Sequence, residues 1–242
     1  MSFDQIFKKE ILSLPNLGTI NCHASKLPFY RGRNILNWVL INDEKETGLT
    51  TFFINEKIDE GAIIHQSKFH LDNTITAADL HNKLIPLGYK LLAKTIDSIG
   101  QNKYKKIIQN NKLKFSLAPK INKELLKINW SNTAREIYNL IRGLSPLLSD
   151  DRILNNVAIC PSAWFYLCNQ DGSKKRIKIH RAKLHEINSN NLEIKSDNKT
   201  YLDIVTYDGI LSIINLQAEG KKSMNIKDFL QGNKINSDCY FL

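Results

Sequence analysis

Asn21-Cys22-His23-Ala24-Ser25-Lys26-Leu27-Pro28-Phe29-Tyr30-Arg31-Gly32 is the stretch on which the reading of this chain turns. Gly18-Thr19-Ile20 leads into it with the period of a strand leaving a short turn. Side chains alternate along a strand, so Asn21 and His23 point to the same side. An amide donor and an imidazole are thereby set together at the C-terminal end of a strand, where ligands bind in α/β sheets. Asp59 follows 38 residues after Asn21, in Ile58-Asp59-Glu60-Gly61, reached through Glu46-Thr47-Gly48-Leu49-Thr50. A carboxylate there suits orienting and polarising His23, or holding a water for proton transfer. The same residues also suit a half-buried polar strand followed by turn-forming Asn and Asp beside glycines.

Strand and helix signals alternate around this stretch. Residues 34–41 carry Ile35, Leu36, Trp38 and Val39 at helical spacing, residues 49–54 are β-rich, and residues 62–70 read as a further strand. Thr76 opens a long helix, with Asp79 three residues on and Leu80, Leu84, Leu87 and Leu91 along one face. This β-α-β-β-α order predicts an α/β layer in which helix covers a sheet. Residues 101–119 are rich in Asn and Lys, weakly patterned, and read as a linker. Thr133-x-x-Glu136 then forms a capping box before Ile137, Leu140 and Ile141, with Gly143 expected to stop the helix and Pro146 beyond it. Short β-like runs follow at 163–167, 176–180, 192–194, 201–205 and 210–216, separated by turn signals such as Asp171-Gly172 and Asp208-Gly209. Strands so closely spaced predict a small barrel. The expected domains are therefore 1–100 and 120–242, joined by 101–119.

A chain of 242 residues has two domains as its prior, and 42% hydrophobic with 24% charged residues is a globular composition. The net charge of +10 favours an anionic partner such as nucleic acid or a phosphate-bearing substrate. The excess is even, with 16 basic against 11 acidic residues over 1–115 and 18 against 13 over 116–242, so no basic tail accounts for it. Asn, Lys and Ile are over-used in the manner of an AT-rich genome, which inflates the basic count. Lys174, Arg176, Lys178 and His180 recur with period two, opposite Ile177 and Ile179. That pattern suits a solvated strand face or a stripe that tracks phosphates. Four scattered cysteines without a CxxC disfavour a zinc site or a disulfide framework and fit a reducing cytoplasm. No apolar run approaches the roughly 18 residues of a membrane span, and Met-Ser-Phe-Asp-Gln lacks the regions of a signal peptide.

Asn-x-His-x-Ser-x-Leu-Pro-x-Tyr-Arg-Gly, then Glu-Thr-Gly-x-Thr, then Asp-x-Gly, in this order and spacing, resembles the folate-dependent formyltransferase family. The resemblance implies that Asn21, His23 and Asp59 are catalytic and that Ser25, Lys26, Leu27, Pro28 and Thr50 serve the folate site. It implies 10-formyltetrahydrofolate as co-substrate and no metal. Lys26 stands where the family usually has Leu, and Arg33-Asn34-Ile35 where it often has Ala-Ala-Pro.

Leu117-Ala118-Pro119-Lys120-Ile121, Ile128-Asn129-Trp130, Ile141-Arg142-Gly143-Leu144-Ser145-Pro146 and Leu216-Gln217-Ala218-Glu219-Gly220-Lys221-Lys222-Ser223-Met224 resemble the branch that formylates methionine on initiator tRNA at the start of translation. This implies an OB-like barrel that meets the tRNA, with Arg142, Lys174, Arg176, Lys178, Lys221 and Lys222 as contacts. Residues 147–160 depart from the family as a loop insertion. Two alternatives stand beside this reading: a formyltransferase for nucleotide-linked amino sugars, which Arg31-Gly32-Arg33 and Asn37-Trp38-Val39-Leu40 suit, and a non-catalytic RNA-binding remnant. Residues 1–20 resemble the segment just before the catalytic strand, and the family has roughly eighty to ninety residues ahead of it that carry the first parallel strands of a nucleotide fold. The fold expected is thus a truncated nucleotide-fold-like α/β sheet followed by the small barrel. A separate N-terminal fragment is an expected partner, and activity of the chain alone is expected to be impaired.

Overall fold

The computed structural model describes residues 7–110, 116–156, 158–187, 192–236 and 239–241. The chain divides into two compact units, one of residues 1–39, 44–73 and 80–120, the other of residues 40–43, 74–79 and 121–242.

In the first part of the chain come α1 (Lys9–Leu12), β1 (Ile20–His23), β2 (Arg31–Gly32), α2 (Ile35–Ile41), β3 (Glu46–Phe53), β4 (Ile63–His70), α3 (Ala77–Gly100) and β5 (Leu117–Ala118). β3 is central, with β1 and β4 antiparallel on its two sides. Its six interior residues, 47–52, are all buried, the signature of a strand covered on both faces. One face meets α3. The helix turns Leu80, Leu84, Leu91 and Thr95 inward at helical spacing, and the Thr95 and Thr51 hydroxyls bond at 2.8 Å. The opposite face carries Thr50 and Phe52 of β3 and His23 of β1, under Leu27 and beside Ile63. α3 starts as its sequence dictates: Thr76 Oγ1 accepts from the Asp79 amide at 3.1 Å, and its single proton lies between the Leu147 carbonyl at 2.8 Å and the Asp79 carboxylate at 3.0 Å.

Residues 101–110 and 116–119, expected to be part of a linker, are built into this unit. Ile107 bridges to Ile63, and β5 pairs parallel with β2. The amides of Tyr30 and Arg33 bond to the Ser116 and Ala118 carbonyls, both at 2.7 Å. Gly32 has φ +127°, and a Cβ there would lie 2.2 Å from the Ala118 carbonyl oxygen, so this strap closes only over glycine. Residues 111–115 lie outside the described residues.

In the second part α4 (Lys123–Leu126) and α5 (Ala134–Leu144) precede β6 (Ala163–Cys168), β7 (Lys174–Glu186), β8 (Glu193–Ser196), β9 (Leu202–Val205), β10 (Gly209–Ala218), β11 (Met224–Asn225), α6 (Ile226–Gln231) and β12 (Tyr240–Phe241). The strands form one sheet in the order β12-β6-β7-β10-β9-β8, with β11 on β10, a nearly closed barrel. Ile137, Leu140, Ile141 and Leu144 of α5 join its core with Phe165, Ile177, Ile179, Leu211 and Leu216. The capping box of Thr133 and Glu136 is present. Gly143 does not stop the helix. It is buried within the last turn, and Ser145 in extended conformation is the cap. In the segment read as an insertion, Leu147 bridges to Ile153 and Arg181 grips the turn, bonding Asp151 at 2.7 Å and the Leu148 carbonyl at 2.6 Å. Val157 of that segment lies outside the described residues.

Candidate active site

The β1–β3 register sets His23 opposite Thr50 and Asn21 opposite Phe52. His23 is 4% exposed. Its Nε2–H donates to the Tyr30 carbonyl at 2.9 Å, because a carbonyl only accepts. That leaves Nδ1 facing Asp59 Oδ2 at 3.7 Å. The same Asp59 oxygen accepts from the Gly32 amide at 2.9 Å. Asp59 itself has φ +52°, a left-handed conformation that aims its carboxylate back at β1. Burial holds the His23 imidazole below its ordinary value, the Asp59 carboxylate and the Tyr30 carbonyl oppose that, and the Arg31 guanidinium adds to it.

The structure thus brings His23 and Asp59 together. Asn21, two residues before His23 on β1, is exposed. Its Oδ1 accepts from the Cys22 amide at 2.8 Å, and its Nδ2 donates to nothing among the described residues. Neither Asn21 nor His23 is held by the other.

The loop 24–30 shows what its residues do locally. Thr50 is fully buried. Its hydroxyl donates to the Ser25 carbonyl at 2.6 Å and accepts from the Leu27 amide at 3.1 Å and Gln66 Nε2 at 3.0 Å. Ser25 Oγ donates to the Phe29 carbonyl at 2.6 Å, and Lys26 pairs with Glu46 at 2.6 Å. Leu27 is in the core, ahead of a cis peptide to Pro28. The hydroxyls of Ser25 and Thr50 thus shape the loop, while Lys26, paired with Glu46, keeps further donors on its ammonium. A cleft of about 300 Å³ runs beside the Asp59 segment, between Ile58, Glu60, Leu117 and Pro119.

Four contributors were not singled out from the sequence: the Tyr30 carbonyl, the Gly32 amide, Gln66 and Gln109. Backbone groups carry no residue-type signal. Gln109 sits in an Asn/Lys-rich stretch, and the two isoleucines before it, Ile107 and Ile108, are exposed, so nothing in the local pattern marks it.

On the barrel, β6 pairs with β7 so that Trp164 faces Lys178 and Tyr166 faces Arg176. Lys174 Nζ lies 4.9 Å over the Tyr166 ring, and the Arg176 guanidinium 5.9 Å over that of Trp164. Lys178 pairs with Gln217 across β10, and Arg176 reaches Glu219 at 3.3 Å. The exposed turn carrying Lys221 and Lys222 follows directly, so five of the six expected RNA contacts form one neighbourhood. Arg142 is the correction. It is 3% exposed, bound to Asp43 at 2.9 Å and Asn139 at 2.8 Å, because a guanidinium buried in α5 must be paired. His180 is the second correction. β7 bulges there, the register passing from Arg181 opposite Asn215 directly to Ile179 opposite Leu216, so that His180 is skipped and turns inward to 2% exposed.

All four cysteines are free thiols. Among the described residues no group of three His, Cys, Asp or Glu is placed to hold a metal ion, and no helix is long and apolar enough to cross a membrane.

Residues 1–96 match the family model described as formyl transferase, and residues 120–234 match that of the formyl transferase C-terminal domain. A methionyl-tRNA formyltransferase of Azobacteroides pseudotrichonymphae is 41% identical over 98% of this chain and 71% of its own length. One from Phocaeicola vulgatus is 37% identical over 94% of this chain and 68% of its own. Among solved structures, an N-formyltransferase from Helicobacter canadensis, in complex with folinic acid and dTDP-3-aminofucose, matches with TM-score 0.63 and 27% identity over 88% of this chain and 71% of that one. A sugar 3-N-formyltransferase solved with dTDP and 5-N-formyl-tetrahydrofolate matches with TM-score 0.63 and 29% identity over 91% of this chain and 71% of that one. Two family models that together span most of the chain, and relatives above one-third identity along nearly all of it, place this chain in the formyltransferase family, as an enzyme that transfers formyl groups.

Proposed function

We propose that the chain transfers the formyl group of 10-formyltetrahydrofolate to the amino group of methionine on initiator tRNA, with residues 1–100 carrying the transfer and residues 120–242 holding the RNA. The amine nitrogen bonds to the formyl carbon, the bond from that carbon to the folate nitrogen breaks, and the proton lost by the amine replaces the formyl group on that nitrogen. Charge develops on the formyl oxygen. The free Nδ2 of Asn21 and the Nε2–H of His23, released from the Tyr30 carbonyl, donate to that oxygen, and Asp59 holds the imidazole charged and passes the proton. Loss of one such donor typically costs ~10²–10³ in rate.

The observation that carries the acceptor is the run of Lys174, Arg176 and Lys178 beside Lys221 and Lys222, two of its cations lying over the rings of Tyr166 and Trp164. Cations in a row suit a phosphate backbone better than a single nucleotide. A second reading, an amino group on a nucleotide-linked sugar, is favoured by the two sugar N-formyltransferases that match this fold. The test offers both acceptors. Charged initiator tRNA and a dTDP-linked amino sugar are mixed at equal concentration with excess chain and formyl-labelled folate. Label is expected on the tRNA, and label confined to the sugar would establish the second reading instead.

A further inference from the structure

One side chain joins the Asp59 segment to the Arg31 segment, and it comes from far along the chain. Gln109 is 6% exposed. Its Oε1 accepts from Arg31 Nη2 at 2.6 Å and Nε at 3.2 Å. Its Nε2 donates to the Asp59 carbonyl at 2.8 Å and to the Gly61 carbonyl at 2.8 Å. The orientation of the amide is forced, since a guanidinium only donates and carbonyls only accept. All four bonds are thus made by one buried carboxamide, one of them to the carbonyl of Asp59, the residue held at φ +52°, and another to the carbonyl two residues on. Arg31 is 6% exposed and completes its pairing with Glu60 at 3.2 Å. Arg31 and Asp59 are also the two charged groups that act on the buried His23, from β2 and from the 58–61 segment, and they act in opposite directions.

We propose that Gln109 is a positioning residue for the transfer: it clamps the Asp59 segment so that the carboxylate faces His23 Nδ1, and it holds the Arg31 guanidinium in place beside them. This rests on the catalytic reading of His23 and Asp59 given above. Without the carboxamide, the Asp59 and Gly61 carbonyls lose the donor they share, and the Arg31 guanidinium, still paired with Glu60, loses one of its acceptors. With that donor gone the Asp59 carboxylate leaves Nδ1, and the imidazolium loses the charge that stabilises it.

The test reads His23 itself, so it does not depend on turnover. The full chain labelled with ¹⁵N-histidine is titrated by NMR as wild type, Gln109→Met, Asp59→Asn and the double variant. The expected result is a downward shift of the His23 midpoint in Gln109→Met, with no further shift when the same change is made in Asp59→Asn. Such non-additivity is what acting through Asp59 requires. If Gln109→Met fails to fold, Gln109→Asn is used: it keeps a neutral carboxamide but is one methylene too short to span Arg31 and the two carbonyls, and the same downward shift is expected. An unchanged midpoint in the folded variant, or an equal shift in both backgrounds, would overturn the assignment. A wild-type chain that transfers no formyl group would instead remove the functional reading and leave this measurement standing.

Discussion

His180 shows how one residue can leave a pattern that its neighbours obey. Ile177 and Ile179 face the core as period two requires, yet His180 is buried as well, because it is the extra residue of a bulge. Ser223 Oγ donates to Asn215 Oδ1 at 2.6 Å, so it accepts from His180 Nδ1–H at 2.9 Å. The other ring nitrogen is then a buried lone pair with no partner in the structure. Burial and nearby Lys178 push the imidazole down to about 4 from 6.5. The unfolded chain takes up a proton here below about pH 6.5, whereas the folded chain does not until about pH 4. Stability is therefore intact above pH 6.5 and declines as pH falls toward 4. Between pH 7 and pH 5 the wild type is expected to lose roughly 2 kcal/mol more than His180→Gln in urea unfolding; equal losses would refute it. The same contrast describes the site. The approach of Asp59 to His23 was legible because a short motif holds both, whatever their role. The placement of Gln109 was not, because it depends on a strap more than 45 residues from Asp59 pairing back onto β2, and nothing local encodes that.

At the scale of elements, β7 carries the most. The run read at 176–180 extends over Lys174–Glu186, since β6 and β10 each pair along it and supply partners that the local pattern does not contain. α5 was legible to its first residue, because a capping box is local chemistry. Its end was not, because Gly143 serves packing inside the last turn. The outer face of β6 and β7 interleaves Trp164 and Tyr166 with Lys174, Arg176 and Lys178, the face proposed above to track a phosphate backbone. Replacing those three cations by Ala is expected to flatten the slope of log K against log salt for tRNA by roughly two to three. Replacing Arg142 should act differently: its guanidinium is buried against Asp43, so the loss appears as stability and not as salt dependence. A salt slope unchanged by the triple substitution would reduce the stripe to a solvated strand face.

For the whole molecule, one family accounts for both parts of the chain, and the shared chemistry is formyl transfer. What separates the relatives is the acceptor: a charged tRNA by name in some, an amino sugar on a nucleotide in others. In this chain the pair that would handle the formyl carbon joins strand β1 to the β3–β4 loop, and the cations that would hold RNA lie on and beside strands β7 and β10. The account joins them in one reaction, and a single-turnover assay tests that joining most directly. Excess chain, 10-formyltetrahydrofolate and charged initiator tRNA are mixed, and formylated methionine is counted against time for wild type, His23→Ala and Asp59→Ala, with tRNA affinity measured in parallel. The expected result is formation of formylmethionine by the wild type, a rate lower by about 10²-fold or more in each variant, and unchanged tRNA affinity in all three. Variants that formylate as fast as the wild type would contradict the account.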